Sequence, residues 1–394
     1  MKKAFVSAFI AFLAGLPVCL AQKAQRGEVQ KRAAYEFDFD LPVYVEELKR
    51  ELTYPLAWGN SAITDFGKWK AAARGKVLEC MMAPPRQAAD FRMEVLREER
   101  REGYRARLVA FSVNAYCRIK AYLLVPEGKG PFPAVNLLHD HGAHLFIGKE
   151  KMVRPFATDS AVVKDADQWA GKLYGGQYVG DYLARHGYVV FAADAPMWGE
   201  RGRKEGVDRA KYDLVAGNMM MLGRDLCAFM TYDDMAGTRL VASLPQVDRS
   251  RIGCMGCSMG AYRAWMLAAL SDDIKAAAAV CWMTTTDVQM SAADGKREYG
   301  GFANCIPALR QWLDYPHIAS LACPKAMLFI NGSQDRLFPV RGVTAAFDTM
   351  RSVWRSQRAD SLLETELWDI PHSCGREVQQ RVLRFFDRRL KGSR

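Results

Sequence analysis

The sequence predicts an α/β protein: a mostly parallel central sheet with helices on both faces, plus a mostly helical N-terminal extension. Three observations carry this. Strand-like and helix-like segments alternate from about Ala134 to the C-terminus. One apolar strand runs directly into Gly256-Cys257-Ser258-Met259-Gly260 and then into a helix-favouring run, Ala261 to Leu270. Two further residues, Asp335 and His372, each stand in a loop just past a predicted strand.

The chain of 394 residues is long enough for one large domain or two small ones. Half of it is hydrophobic and a quarter is charged, so a sizeable core is within reach. Lys2 and Lys3 precede an apolar run from Ala4 to Leu20 that ends in Cys19-Leu20-Ala21. This is the pattern of a signal peptide, residues 1–21, and implies export to a periplasmic or extracellular space. The run is short for a membrane span, and no other stretch is long and apolar enough to be one. Lipid anchoring at Cys19 is the alternative, disfavoured by Pro17 and Val18 where small residues are usual.

Residues 22–94 form the extension, with helices expected over Val43–Leu52 and Asp65–Met81, the second starting at a Thr64-Asp65 cap. Residues 95–394 form the catalytic domain. Its start is set by period-two alternation at Tyr104, Ala106, Leu108 and Ala110, and again at Ile119, Ala121, Leu123 and Val125, which predicts a meander. An apolar strand, Ala134–Leu138, follows the turn Pro126–Pro131 and leads into the polar loop His139–His144. The next expected elements are a helix, Gly176–His186, a buried strand, Tyr188–Ala193, and one long helix, Met219–Leu244, whose Met219-Met220-Met221 run reads as core. Val247–Ser250 reads as a turn before the strand that ends at the glycine-flanked serine. Strands Ile274–Cys281, Ala326–Ile330 and Leu363–Trp368 and helices Val343–Trp354 and Glu377–Leu390 complete the alternation. No internal repeat or low-complexity linker interrupts it.

The formal charge is +11, and removing residues 1–21 takes away Lys2 and Lys3 and no acid, leaving +9. A basic exported protein suits acidic partners such as uronic-acid polymers, although solubility accounts for the charge equally well. No basic-aromatic array of the kind that binds nucleic acid is present. Ten cysteines less Cys19 leave an odd nine, and several lie in apolar elements, so no disulfide framework is expected. Cys254-Met-Gly-Cys257 has redox-motif spacing but runs along a strand.

The chemistry centres on Ser258. Gly-x-Ser-x-Gly between a strand and a helix is a nucleophile elbow, which lifts the serine hydroxyl above the sheet edge. A serine hydroxyl is a weak nucleophile and needs a base, which in turn needs an orienting acid. His372 is the candidate base and Asp335 the candidate acid; Asp287, past the preceding strand, is the rival acid, and Asp369 lies too near His372 along the chain. An oxyanion hole takes two backbone N–H groups, one from Met259 and one from the loop after Ala134–Leu138, with His141 chosen and Asp140 its rival. His139, Asp140, His141 and His144 could instead ligate zinc. The elbow explains the chain without a metal, and no cofactor is called for.

From about residue 95 onward the chain resembles the α/β-hydrolase superfamily, and within it the exported bacterial esterases that are acetyl-xylan-esterase-like or dienelactone-hydrolase-like. The resemblance rests on Leu138–His144 with Ile147–Lys151, on Asp194–Arg201, on Gly256–Gly260, on Asn331–Asp335 and on Pro371-His372. It implies a Ser258–His372–Asp335 triad and carbohydrate-ester substrates. Dienelactone hydrolases carry cysteine at the centre of the elbow, where this chain has Ser258. The expected function is therefore a serine esterase on plant-type polysaccharides or oligosaccharides, foremost an O-deacetylase working through an acyl-enzyme. A methyl esterase of uronic-acid glycans is the second reading. A peptidase of prolyl-oligopeptidase type, for whose propeller the chain is too short, and a non-catalytic glycan-binding relative are the others. No nucleic-acid partner and no stable membrane insertion are expected, and the sequence leaves the oligomeric state open.

Overall fold

A computed structural model of the chain describes residues 36–38, 41–202, 209–291 and 301–392. The expected signal peptide and Cys19 lie outside them. The N-terminal part opens with a short antiparallel pair, β1 (Phe37–Asp38) and β2 (Leu41–Pro42), then α1 (Val45–Arg50) and α2 (Phe66–Cys80). The Asp65 carboxylate accepts the Lys68 N–H at 2.8 Å and so fixes the start of α2. Trp69, Ala73 and Val77, spaced by four, bury one face of α2 in the core of the main body.

Among the described residues that body is built on a nine-stranded sheet: β3 (Glu94–Arg101), β4 (Tyr104–Ser112), β5 (Arg118–Pro126), β6 (Phe132–Leu138), β7 (Val189–Ala193), β8 (Val247–Cys257), β9 (Ile274–Val280), β10 (Ala326–Gly332) and β11 (Leu363–Trp368). The spatial order is β11-β10-β9-β8-β6-β7-β5-β4-β3. Strands β3, β4, β5 and β7 pair antiparallel, and the pairs from β7 through β6, β8, β9 and β10 to β11 are parallel. The inner parallel strands are covered on both faces, which is why β10 reads as an apolar run and is buried at every residue. The edge strand β3, with sequence EVLREERR, is mostly exposed, and its charges protect an open edge from pairing with another chain.

Helices cover the two faces. Alongside α2, one face is packed by α6 (Leu226–Ser243), α7 (Met259–Leu270) and α10 (Val340–Ser356). The other is packed by α3 (Ser160–Tyr174), α4 (Val179–Arg185) and α11 (Arg376–Phe386). The helix α5 (Arg209–Met221) and the short helices α8 (Thr286–Gln289) and α9 (Tyr315–Ala319) lie in the connections.

Three expectations are corrected. Met219–Leu244 is not one helix but the end of α5 followed by α6. Gly223 adopts φ +66°, and the Asp225 carboxylate accepts the Ala228 N–H at 2.7 Å, so one helix stops and a capped one begins. The methionine run is correspondingly divided: Met219 packs against the core, whereas Met221 is 87% exposed. Val247–Ser250 is not a separate turn but the irregular start of β8, where the pairing with β6 shifts register. The helix expected from Gly176 starts later, at Val179, because Gly175 and Gly176 (φ +64° and +68°) terminate α3, a helix absent from the expectations.

Candidate active site

Strand β8 delivers Ser258 at the carboxyl end of the sheet with φ +55° and ψ −126°. That region of conformational space is unfavourable for a residue with a Cβ and persists only where its surroundings enforce it. The glycines supply the enforcement. A Cβ added to Gly256 would lie 2.2 Å from the Gly260 carbonyl group, and one added to Gly260 would lie 1.9 Å from the Leu138 carbonyl oxygen. Both obstacles are backbone, so neither can swing aside. The Ser258 N–H donates to the Val280 carbonyl at 2.8 Å, tying the elbow to β9. Met259 is the first residue of α7, and its N–H is among those that a helix leaves without an intrahelical acceptor.

Strands β10 and β11 deliver Asp335 and His372. His372 Nδ1 lies 2.6 Å from Asp335 Oδ2, while Asp335 Oδ1 accepts the Leu337 N–H at 2.8 Å. The carboxylate is fully buried, and the imidazole side chain keeps 21% exposure. An ionised carboxylate only accepts, so Nδ1 carries the hydrogen and Nε2 is the basic nitrogen. Phe338 stacks on the imidazole at 6.0 Å between centroids and an interplanar angle of 21°. Burial by itself would lower the His372 pKa. The hydrogen bond and charge of Asp335 outweigh it, with further help from Cys281 and Asp140, and the net shift is upward. Neither rival acid touches this imidazole. Asp287 is exposed and pairs with Lys49 at 3.2 Å and Arg341 at 3.9 Å, and Asp369 accepts from Ser333 and Gln334.

Strand β6 delivers the loop that holds Asp140 and His141. His139 Nε2 accepts the Ala195 N–H at 3.0 Å, which leaves Nδ1 to donate to the Asp140 carbonyl at 2.9 Å. Burial and the nearby Arg263 and Lys151 charges hold His139 far below the ordinary imidazole pKa, so it is neutral. The Asp140 carboxylate is buried and accepts from Tyr174 Oη (2.8 Å), Trp169 Nε1 (3.2 Å) and Lys151 Nζ (3.3 Å). The His141 carbonyl accepts from Lys151 Nζ (3.0 Å) and Trp198 Nε1 (3.2 Å). His144 Nε2 pairs with Asp165 at 2.5 Å. The imidazoles of His139 and His144 thus have partners outside the four residues weighed as zinc ligands.

Among the described residues, Cys281, Asp335 and His372 are the group whose ligating atoms lie within 4.8 Å of one another. A soft cation there would have to displace the proton between His372 and Asp335. The Cys281 thiol donates to the Ser373 carbonyl at 3.4 Å, and its hydrogen bond with Cys257 together with nearby His372 holds its pKa below the ordinary thiol value despite burial. Cys257 and Cys254 fall on opposite faces of the sheet, as residues three apart in a strand must, and cannot act as a redox pair. The nine described cysteines are all unpaired.

Behind the loop lies a second buried cluster. Lys149 Nζ reaches Glu150 (2.7 Å) and Asp194 (2.9 Å), and the Lys149 N–H donates to Asp194 at 2.6 Å. Ile147–Lys151 and Asp194–Arg201 stand out as motifs in the sequence, yet nothing in their spacing shows that they meet.

Comparison with known proteins agrees with this architecture. Residues 44–352 match the model of the Abhydrolase family. The chain belongs to that family. Among curated proteins the chain is similar to YtaP of Bacillus subtilis, described as a hydrolase and 29% identical over 268 residues, which are 68% of this chain and 82% of that protein. Among solved structures, a protein of Bacteroides fragilis described as an acetyl xylan esterase superposes with a TM-score of 0.66 at 19% identity, covering 83% of this chain and 81% of that one. A glucuronoyl esterase of Teredinibacter turnerae gives 0.59 at 14% identity, over 86% of this chain and 89% of that one. At such identities the likeness establishes the fold. As an abhydrolase family member, the chain is a hydrolase. No helix among its described residues is long and apolar enough to cross a membrane.

Proposed function

We propose that this carboxylic-ester hydrolase is a serine esterase acting on carbohydrate esters. The observation that carries the reading is the 2.6 Å His372–Asp335 pair on the same sheet edge as the strained Ser258 elbow. Ser258 Oγ attacks the ester carbonyl while His372 Nε2 takes its proton. The Met259 and His141 N–H groups receive the oxyanion. His372 then returns the proton to the leaving alcohol, and water, activated by the same imidazole, releases the acid from the acyl-enzyme. Asp335 keeps the histidine in the tautomer that leaves Nε2 basic.

The preferred substrates are O-acetyl groups on plant-type polysaccharides. Two things support that choice: the acetyl-xylan-esterase-like motifs of the sequence, and the fold shared with the Bacteroides fragilis protein described as an acetyl xylan esterase. Methyl esters of uronic-acid glycans are the second reading, favoured by the basic charge of the chain. The signal-like residues 1–21 suit action outside the cytoplasm, where such polymers are found.

The test incubates the protein and its Ser258→Ala variant with acetylated xylan and with methyl-esterified pectin, and quantifies acetate and methanol. Acetate from the parent, reduced at least about 10³-fold in the variant, is the expected result. Methanol alone would move the assignment to uronate esters. Equal release by both proteins would remove Ser258 from the mechanism.

A further inference from the structure

The serine-esterase reading requires an N–H of the loop after β6 to point at the substrate oxygen, and a loop peptide has no intrinsic reason to do so. In a trans peptide the C=O of one residue and the N–H of the next point in opposite directions. The Asp140 carbonyl is held by two donors, His139 Nδ1 at 2.9 Å and Lys151 Nζ at 3.1 Å, and the His141 carbonyl is held by the same ammonium at 3.0 Å. Lys151 and Asp140 are both fully buried. Two successive carbonyls are therefore drawn to one cation on the buried side, and the His141 N–H is turned the other way. The loop begins against the elbow: a Cβ on Gly260 would lie 3.0 Å from the His139 carbonyl oxygen, and Arg263 of α7 donates to that oxygen at 3.4 Å.

We propose that Lys151, neutralised by Asp140, is the positioning residue that sets the Asp140–His141 peptide for oxyanion binding; the proposal rests on the serine-esterase reading and deepens it. A buried ion pair is a poor device for stability alone, since apolar side chains of similar volume often serve equally well. What an apolar residue cannot do is draw two carbonyl oxygens to one point. The Asp140 carboxylate, fixed by Tyr174 and Trp169 on α3, supplies the countercharge that lets the ammonium stay buried. Lys151 also lies 4.9 Å from the Trp169 ring centroid, so the same indole steadies both members of the pair.

The test compares Lys151→Met and the double variant Asp140→Asn/Lys151→Met with the parent protein. Each is followed by steady-state hydrolysis of 4-nitrophenyl acetate, by thermal unfolding and by labelling of Ser258 with a fluorophosphonate. Lys151→Met strands a buried carboxylate and is expected to lower the Tm, whereas the double variant removes both charges and regains it. Both are expected to lose about 30-fold in kcat with KM within about twofold, because a misaimed oxyanion donor weakens the transition state and not the ground state. If Lys151→Met fails to fold, the double variant carries the test. Recovery of kcat together with Tm in the double variant, or a kcat within about threefold of the parent in Lys151→Met, would overturn the positioning role. The underlying reading fails separately and visibly: a parent protein that hydrolyses the ester without Ser258 becoming labelled has no serine esterase site to position.

Discussion

Around Ser258 the backbone is shaped by atoms that are missing, whereas around His141 it is shaped by charges that are buried. Gly256 and Gly260 leave room for a strand and a helix to touch, and the obstacles a side chain would meet there are carbonyl groups of the neighbouring backbone. In the facing loop the obstacles are side chains and not backbone: a Cβ on Gly142 would lie 2.3 Å from the Trp169 indole and one on Gly148 2.3 Å from the Asp194 carboxylate. The loop is suspended between two ion clusters in which the consecutive residues Lys149, Glu150 and Lys151 meet Asp140 and Asp194 from other stretches of the chain. The first design is short-range and indifferent to solution conditions. The second depends on long-range contacts, each of which must be neutralised to stay out of water. One sheet edge thus joins a rigid part made by exclusion to an adjustable part made by attraction.

The contrast can be broken first at its rigid end. Gly260→Ala places a methyl group 1.9 Å from the Leu138 carbonyl oxygen, so the elbow cannot close. The expected result is loss of fluorophosphonate labelling at Ser258 to background, with residual circular dichroism or a lowered Tm showing whether the rest of the sheet survives. At the adjustable end, Lys149→Met leaves Asp194 and Glu150 buried without their cation. Urea unfolding should show a loss of about 3–5 kcal/mol, the range for stripping one partner from a buried pair. A loss below about 1 kcal/mol would mean that water solvates the cluster. The smallest effect concerns His372, the proposed base between the two regions. Because the His372 pKa is raised, its imidazole becomes a free base only above the ordinary value, so the acidic limb of kcat/KM should lie above pH of about 6.5. Activity rises with pH through that limb. A limb below that value would mean that the Asp335 bond does not govern the titration.

This difference between exclusion and attraction also explains what the sequence could reveal. The elbow is written in five consecutive residues, and the spacing of Gly256 and Gly260 states its packing requirement directly. Strand β10 and its aspartate, and β11 and its histidine, are likewise contiguous signals. Lys151 and Asp194 lie in stretches that stand out as motifs, but nothing in those stretches states which partners they meet, and Trp169 and Tyr174 are ordinary residues until the fold brings them within about hydrogen-bond reach of Asp140. Cys281 was legible only as a buried small residue, and its closeness to His372 follows from β9 lying beside β10. The break between α5 and α6 was missed for a different reason. Apolar residues continue through Met221 and Leu222, but Gly223 with φ +66° and the Asp225 cap stop one helix and start another, and local capping prevails over periodicity.

The order of the parallel strands has a consequence for how such a protein can change over time. His372, Asp335, Cys281, Ser258 and His141 leave the carboxyl ends of β11, β10, β9, β8 and β6, five neighbours in the sheet. Among the described residues, the connections that leave the same edge after β7 and β9 add no strand to this frame. Lengthening, trimming or exchanging those connections would recast the rim of the candidate site while the proposed catalytic groups kept their spacing. Evolution can therefore explore new substrates at this rim with little risk to the reaction beneath it, and descendants of one such frame would diverge in what they cleave long before they diverge in how.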